Sequence, residues 1–236
     1  MSSAATPGKT LTTAKKQAPP TDAIVALAEQ AARRTGGLGA SAFTGLIAAE
    51  SSGNANAKNE NSTATGLGQF IESTWKGLAT TPGTYLNAKA QANGMLFKMG
   101  GRLTVRPDKE EQLLELRSDP RTAVESVADL TNENLTRLKA SDLPGIGDMS
   151  ALSDQEKAAY AYMMHLAGDD GLTLIKYGAG GAKGLSDERG EYLLRQQLGP
   201  KRTDALAQRI AAAGGSAAVA FKTFAEQRAL KVANAA

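Results

Sequence analysis

The sequence has no cysteine and only one histidine, His165. Disulfide bonds and thiolate metal sites are therefore excluded, and a zinc site is disfavoured because zinc takes most of its protein ligands from these two residue types. Aromatic residues are sparse, and no apolar run approaches the roughly 18 residues that a membrane-spanning helix needs. We expect a protein without a metal, an organic cofactor or a transmembrane segment.

A large excess of charge of one sign is also absent, since 27 Lys and Arg residues against 24 Asp and Glu residues leave a net charge of +3. Such an excess helps a protein to approach an anionic polymer, but more often it only keeps the surface soluble. The basic pairs Lys15–Lys16, Arg33–Arg34 and Lys201–Arg202 are scattered and lack interleaved aromatic residues. We therefore expect no nucleic-acid partner.

The length of 236 residues suits one compact domain with tails. Residues 1–21 are rich in Ser, Thr, Pro and Lys, and the basic residues among them are not joined by an apolar run. This segment is typical of a flexible arm and not of a secretory signal peptide. We predict the arm over residues 1–21, a helical domain over 22–180 and a C-terminal helical extension over 181–236.

Helical periodicity dominates after the arm, and alternating strand patterns are essentially missing. Asp22 is placed to cap the first helix, and Ser41 to begin the second. Ser153 with Glu156 three residues later predicts a capping box at the start of a later helix. The predicted fold class is all-α, with room for a small hairpin in the polar loop at residues 51–66.

Three more helices are predicted beyond residue 185. The last of them carries an apolar stripe at helical spacing, formed by Phe221, Phe224, Ala225, Ala229 and Val232. Such a stripe contacts a membrane or a partner in some proteins, but docking on the chain's own core is more common. We therefore expect the last helix to pack on the core.

The chemistry is concentrated around Glu50. This residue shares a helical face with three apolar residues, Phe43, Leu46 and Ile47, and lies at the end of its helix. Desolvation and the negative end of the helix dipole both favour a neutral carboxyl group at such a place. A neutral carboxyl group can protonate a glycosidic oxygen. By pattern alone, however, a glutamate at this position is more often a solvated helix end.

The residues that follow carry a resemblance to a known family. The Glu50–Ser51 pair, an Asn-rich loop, and residues 66–70 (GLGQF) and 73–75 (STW) resemble the soluble lytic transglycosylases of the goose-type lysozyme superfamily. In that family the glutamate is the sole catalytic acid/base, and the loop with its glutamine lines the glycan cleft. The resemblance implies a lysozyme-like domain in which Glu50 is catalytic and these residues contact the substrate: Ser51, Asn59, Ser62, Gln69 and His165.

A later block agrees with the resemblance. The family usually has Ala-Tyr-Asn-Ala-Gly on a later helix, with the tyrosine facing the glutamate, and residues 164–168 (MHLAG) place His165 at that position. A lone histidine on an apolar helix is otherwise usually a core residue. The His-x-x-Gly form, together with residues 116–121 (LRSDPR) and Glu133–Asn134, resembles a branch of the family known from bacteriophage particles and some Gram-negative bacteria.

Some positions depart from the family pattern. Gly68 stands where a methionine is usual, which implies that an apolar wall of the cleft is missing. The loop between Glu50 and Gly66 is one residue longer than usual, so Asn59 or Ser62 takes the place of a substrate-contacting serine. These departures affect how the sugars are held and not the class of reaction.

The resemblance implies an enzyme that cleaves the β-1,4 bond between N-acetylmuramic acid and N-acetylglucosamine in peptidoglycan glycan strands, with a 1,6-anhydro product. It also implies delivery in a phage particle, action in the host periplasm and wall, and contacts with phage tail or other virion proteins through the arm and the C-terminal helices. Two alternatives stay open. One is a lysozyme-like hydrolase (an endolysin) that uses Asp119, Glu125 or Glu133 as a second carboxyl group, and the other is a structural component of a virion or secretion apparatus.

Overall fold

A computed structural model of the protein describes residues 21–60, 62–141, 149–199 and 202–235. Most of the predicted arm over residues 1–21 lies outside these residues. The α-helices among them are α1 (Asp22–Ala32), α2 (Ala40–Ser51), α3 (Glu72–Thr80), α4 (Tyr85–Ala92), α5 (Glu110–Glu115), α6 (Pro120–Lys139), α7 (Asp154–Ala167), α8 (Asp169–Tyr177), α9 (Asp187–Leu198), α10 (Thr203–Ala212) and α11 (Ala217–Ala235). The all-α prediction is confirmed.

A two-stranded antiparallel sheet interrupts the helices between α4 and α5. Its strands are β1 (Leu96–Met99) and β2 (Arg102–Val105). Gly100 and Gly101 form the two-residue turn, and both have positive φ angles (56° and 80°), as the tight turns that suit twisted hairpins require. The sequence analysis missed this hairpin because its strands are four residues long and lack an alternating pattern. In the polar loop, where a hairpin was expected, the described residues form only isolated bridges.

The start of α2 depends on a tertiary contact. Ser41 was predicted to begin this helix, but the helix starts at Ala40, after Gly39. The backbone N–H of Gly39 donates a hydrogen bond to Asp154 Oδ2 of α7 (3.1 Å), and this acceptor satisfies a donor that a helix leaves unpaired at its N-terminus. A distant carboxylate therefore does what a local capping side chain does in other helices.

Two other predicted caps have different outcomes. Asp22 is the first residue of α1 and not its cap, since Thr21 occupies the cap position without a side-chain hydrogen bond. The negative charge of Asp22 still complements the positive end of the helix dipole. The capping box of Ser153 and Glu156 at α7 is confirmed, because both reciprocal hydrogen bonds are present.

The last helix is part of the core. α11 packs mainly against α7, α9 and α2, and its predicted apolar stripe is buried at every position, from Phe221 to Val232. Gly190 of α9 allows the close approach, because a Cβ atom there would lie 2.6 Å from Ala218 Cα of α11. One buried cluster joins residues from both sides of the predicted boundary between 180 and 181. No helix among the described residues is long and apolar enough to cross a membrane.

Candidate active site

Glu50 lies in the last turn of α2, where the helix gives way to the polar loop. It is followed by Ser51, the last residue of the helix, and by Ser52, which has a left-handed φ of 58°. The Ser52 N–H donates to Ala48 O (2.8 Å) and so closes the helix. The Glu50 side chain is only 4% exposed. The helix end therefore holds a carboxyl group in a largely desolvated position.

Two side chains from distant helices contact the two oxygens of this carboxyl group. His165 Nε2 of α7 lies 3.4 Å from Glu50 Oε1, and Arg228 Nη2 of α11 lies 3.8 Å from Glu50 Oε2. Oε1 is buried and accepts no hydrogen bond from the part of the chain that the structure describes. A buried polar atom of this kind calls for an explanation, and the neighbouring His165 imidazole is the polar group that faces it.

Tyr162 joins Arg228 to this arrangement. Arg228 Nε donates a hydrogen bond to the Tyr162 hydroxyl (3.0 Å). Burial and, after it, the charge of Glu50 raise the pKa of Tyr162 far above its usual range, so the phenol stays protonated. Burial alone would lower the pKa of Arg228, but Tyr162 and Glu50 outweigh it and raise that pKa. Arg228 is therefore a permanent cation beside Glu50.

His165 is fixed between two aromatic rings. Its imidazole stacks on Tyr162 (6.2 Å between centroids) and meets Phe70 edge-on (5.7 Å). Its side chain is 11% exposed. Since Tyr162 precedes His165 by three residues on α7, both side chains lie on one face of that helix. The two residues therefore reach Glu50 together.

Gln69 holds the polar loop in its folded shape. Its backbone has a positive φ of 47°, an uncommon conformation for a residue with a side chain. Its Nε2 donates to Gly66 O (3.0 Å) and to Ala57 O (3.3 Å). These bonds connect the middle of the loop to its end, so Gln69 has a structural role in addition to its place at the cleft.

Arg117 braces the same loop from behind. Its buried guanidinium group donates to Thr63 O (2.7 Å) and Phe70 O (3.2 Å) through Nη1, and to Leu114 O through Nε (3.0 Å). Burial lowers the pKa of Arg117 from its ordinary value. Gly66 lies against the Arg117 backbone so closely that a Cβ atom would be 1.9 Å from Arg117 O. The predicted motif at residues 116–121 therefore supports the loop and does not line the cleft.

Glu50 faces a cleft of about 470 Å³. One side, which we call the polar-loop wall, consists of Asn59, Ser62, Ala64, Gln69, Phe70 and Ile71. The other side, which we call the C-terminal wall, consists of Tyr192, Leu193, Gln196, Gln197 and Arg228. The middle is formed by side chains of α6 and α7, including Leu130, Asn134, Arg137, Met164 and His165.

The cleft brings most of the predicted site residues together. Asn59, Ser62, Gln69 and His165 line it with Glu50. Ser51 does not, because it is buried and its hydroxyl donates to Ile47 O (3.2 Å) within α2. A substrate contact by Ser51 stays a prediction.

The three acidic residues considered as a second carboxyl group lie elsewhere. Asp119 caps α6 by accepting from Thr122 N (2.8 Å), Glu125 pairs with Arg34, and Glu133 is exposed. Among the described residues that line the cleft, Glu50 alone carries a carboxyl group. The described cleft thus has one carboxyl group and not the pair that ordinary glycosidases use.

Gly68 leaves no gap in the wall. A Cβ atom at this position would lie 2.4 Å from Val127 Cγ2 and 2.6 Å from the Phe70 ring. These two side chains already fill the space that a methionine would need. The expected loss of an apolar wall is therefore not seen, since Phe70 lines the cleft in its place.

The C-terminal wall was not predicted from the sequence. One signal was present, because Arg228 lies within the apolar stripe of α11, four residues after Phe224 and four before Val232. A charged residue on a face that packs into a core needs a partner there. For Tyr192 and Gln196 on α9, the sequence shows no comparable charged residue on an apolar face that would indicate a place in the cleft. No cluster of metal-ligating side chains is found within the described ranges.

A second depression of about 670 Å³ adjoins the cleft. The two share Ser62, Ile71 and Gln196, and the depression adds Thr63, Glu72, Ser73, Lys76 and Arg195. Both of these cations have acidic partners, Lys76 with Glu110 and Arg195 with Glu191. The cleft is thus the inner part of a longer surface groove.

Comparison with known proteins gives one match. The family model described as the transglycosylase SLT domain matches residues 27–94. No curated protein and no solved structure matches the chain. The matched segment contains Glu50 and Gln69, whereas Tyr162, His165 and Arg228 lie outside it. The match confirms the similarity to the lysozyme-like transglycosylase family and indicates lytic transglycosylase activity on peptidoglycan.

Proposed function

We propose that the protein is a peptidoglycan lytic transglycosylase in which Glu50 is the single acid/base group. One observation carries the proposal. Glu50 lies within the segment that is similar to the transglycosylase SLT domain, and it is the one carboxyl group among the described residues that line the cleft. A lytic transglycosylase needs one such group, because the reaction uses no water and therefore no second group to activate it.

In the first step Glu50 donates its proton to the oxygen that joins C1 of N-acetylmuramic acid to C4 of N-acetylglucosamine. The C1–O bond breaks, and the N-acetylglucosamine leaves with the proton on its 4-hydroxyl group. The carbonyl oxygen of the 2-acetamido group stabilises the positive charge that develops at C1. Glu50 is left as a carboxylate, and Arg228 at 3.8 Å from Oε2 stabilises this charge.

In the second step the same carboxylate accepts the proton of the C6 hydroxyl group of the muramic acid. O6 then bonds to C1 and displaces the acetamido oxygen, which gives the 1,6-anhydro ring and restores neutral Glu50. The proton that left the enzyme in the first step is thus replaced in the second. The low exposure of Glu50 supports this route, because it keeps water from competing with O6.

The two walls supply the contacts that hold the glycan strand. Asn59, Ser62 and Gln69 offer amide and hydroxyl groups on one side, and these suit the hydroxyl and acetamido groups of the sugars. Tyr192, 48% exposed, offers an aromatic face on the other side. We assign these residues to substrate binding and His165 to the wall beside the reacting bond.

The test is mass spectrometry of the muropeptides that the protein releases from purified peptidoglycan. Wild type is expected to give 1,6-anhydro-muramic acid ends, and Glu50→Gln to lose at least about 10²-fold in rate, as removal of a general acid does. Glu133→Gln is the matched control, because Glu133 is exposed and lies outside the cleft lining.

Two outcomes would overturn the proposal. Reducing muramic acid ends would mean a lysozyme-like hydrolase, in which a further group positions a water molecule. Absence of cleavage by folded wild-type protein would favour a structural component of a virion or secretion apparatus.

We also propose that a phage particle delivers the enzyme to the host periplasm, where it opens the wall locally during infection. The support is the resemblance of residues 164–168, 116–121 and 133–134 to the branch of the family known from phage particles. Proteins of the tail or of another part of the virion are then its partners, through the arm and the C-terminal helices. Mass spectrometry of purified virions tests this proposal, and a protein found only in the lysate would refute it.

A further inference from the structure

The position of Arg228 is unusual for a charged residue. It lies on the stripe of α11 that packs against α2, α7 and α9, between Ala225 and Ala229, which are 1% and 3% exposed. Its guanidinium group lies 5.8 Å from the centre of the Phe224 ring. The Arg228 side chain is nevertheless 36% exposed, because it reaches from the packed face of α11 to the cleft. The position of the cation is explained by its contacts there.

Those contacts point toward the reacting group and not along the helix. Arg228 Nε donates to the Tyr162 hydroxyl (3.0 Å), and Nη2 lies 3.8 Å from Glu50 Oε2. The acidic residue nearest in sequence on α11, Glu226, is engaged by Lys222 at 3.6 Å. The charge of Arg228 is thus directed across the interface between helices, toward the end of α2.

The contact also distinguishes the two oxygens of Glu50. Arg228 approaches Oε2, while Oε1 is buried and accepts no hydrogen bond from any described residue. Tyr162 holds the guanidinium group in place, and because burial raises the pKa of its phenol, that group stays a neutral partner. The carboxyl group therefore has a cation beside one oxygen and the His165 imidazole beside the other.

We propose that Arg228 is a positioning residue for Glu50: its charge beside Oε2 fixes the orientation in which the carboxyl group faces the cleft. The inference rests on the proposed function and deepens it, because it makes α11 a part of the catalytic machinery. The segment that is similar to the SLT domain ends at residue 94, so the residue that orients its glutamate comes from the opposite end of the chain.

The experiment compares kcat and KM for cleavage of soluble glycan strands by wild type, Arg228→Met and Arg228→Lys. Loss of preorganised charge next to the reacting group lowers kcat by about 10²-fold in Arg228→Met. KM changes by less than about twofold, because Arg228 acts through Glu50 and not on the sugar. Arg228→Lys retains the charge without the fork of donors, and its kcat is expected between the two.

Lys231→Met is the matched control. Lys231 lies on the same helix, three residues further on, and is exposed to solvent. Removing its charge changes the net charge of the protein as Arg228→Met does, and it is expected to leave kcat unchanged. Thermal unfolding of all variants shows whether each is folded.

A rescue experiment separates positioning from a purely structural role. Guanidinium ion at tens of millimolar is added to Arg228→Ala, with sodium chloride at equal ionic strength as the reference. Recovery of kcat by about tenfold with guanidinium alone is the expected result, since a small cation can enter the space that the side chain left. A variant that is only misfolded would not recover.

Several results would overturn the inference. A folded Arg228→Met with the kcat of wild type would show that Glu50 needs no partner on α11. An unchanged kcat with a strongly raised KM would make Arg228 a substrate-binding residue instead. If Arg228→Met does not fold, the other two variants decide. The inference is then overturned if guanidinium does not rescue Arg228→Ala and if Arg228→Lys has the kcat of wild type. Failure of the proposed function is distinguishable, because wild type itself would then release no 1,6-anhydro ends, or Glu50→Gln would keep the rate of wild type.

Discussion

The two walls of the cleft are held in place by different forces. The polar-loop wall buries Phe70, but the shape of the loop before it depends on directional bonds. Gln69 joins the middle of the loop at Ala57 to its end at Gly66, and the buried guanidinium group of Arg117 binds carbonyl groups of Thr63 and Phe70. Gly66 adds a backbone conformation that residues with side chains rarely adopt. The loop is therefore held by individual hydrogen bonds to carbonyl groups and by one backbone conformation.

The C-terminal wall is held by burial of apolar side chains. α11 presents Phe221, Phe224 and Val232 to the core and packs on α2, α7 and α9. Burial of each large apolar side chain stabilises the fold by about 1.5–3 kcal/mol. The side chains that reach the cleft from this wall, Tyr192 and Arg228, are carried by a scaffold that does not depend on them.

The comparison shows how substitutions should act. In the polar-loop wall Gln69 belongs both to the scaffold and to the cleft lining, so a change there alters shape and activity together. In the C-terminal wall the two sets are separate, so stability and activity should be affected by different substitutions.

The largest effect on stability is expected from Phe221→Ala in the C-terminal wall. Phe221 is fully buried, and loss of its ring should lower the free energy of unfolding by about 3–5 kcal/mol. Because α11 packs on α2, the whole described domain should still unfold in one transition. Val219→Ala, at a position 39% exposed, is the control and should cost less than about 0.5 kcal/mol. A separate early transition in chemical denaturation would show that the C-terminal helices form an independent unit.

Gly66→Ala is expected to have the next largest effect, in the polar-loop wall. The new Cβ atom meets Arg117 O, and a φ of +79° is unfavourable for alanine, so about 2–4 kcal/mol of stability should be lost together with activity. Gly83→Ala is the control, because Gly83 has a φ of +89° and no atom near its Cβ position. It should show only the backbone cost of about 1–2 kcal/mol. Equal losses in urea unfolding would contradict the packing argument.

Tyr192→Ala should reduce substrate affinity without affecting the scaffold. If a sugar covers the exposed half of this ring, loss of the contact costs about 1 kcal/mol, or about a fivefold increase in KM. Tyr177→Ala is the control, since Tyr177 is similarly exposed (49% against 48%) and lies outside the cleft. An unchanged KM for Tyr192→Ala would remove Tyr192 from the glycan path.

The smallest effect is expected at the contact between α9 and α11. Asp187 accepts hydrogen bonds from Ala218 N (2.9 Å) and Ser216 Oγ (2.7 Å), and these bonds, that of Ala218 first, lower the pKa of Asp187. A lowered pKa in the folded state gives stability that is present above the unfolded value of about 3.9 and is lost as the pH falls through the folded value.

Asp187→Asn should therefore lower the Tm near pH 7, and the difference from wild type should shrink below about pH 3. Asp204→Asn, at an exposed position at the start of α10, is the control for the removal of an exposed carboxylate from the first turn of a helix. A Tm difference that is the same at both pH values would contradict the assignment of the effect to the Asp187 carboxylate.

Part of the candidate site could be predicted because its residues are close in the sequence. Glu50, Asn59, Ser62 and Gln69 are separated by short distances along the chain, and the glycine and asparagine content of the loop is visible as a pattern. The neighbours Tyr162 and Arg228 could not be assigned in this way, because their contact with Glu50 depends on how α7 and α11 pack. Arg228 left one trace, a charge within an apolar stripe.

Local patterns in the sequence were sufficient to predict the helical fold class, the capping box of Ser153 and Glu156, the buried stripe of α11 and the position of Glu50 near the end of α2. These follow from local periodicity and local hydrogen bonding, which depend on neighbours within a few residues. The contact of Asp154 with the start of α2, the packing of Phe70 next to Gly68 and the approach of Arg228 to Glu50 required the folded chain. Such contacts join residues distant in the chain, and packing of side-chain shapes selects them.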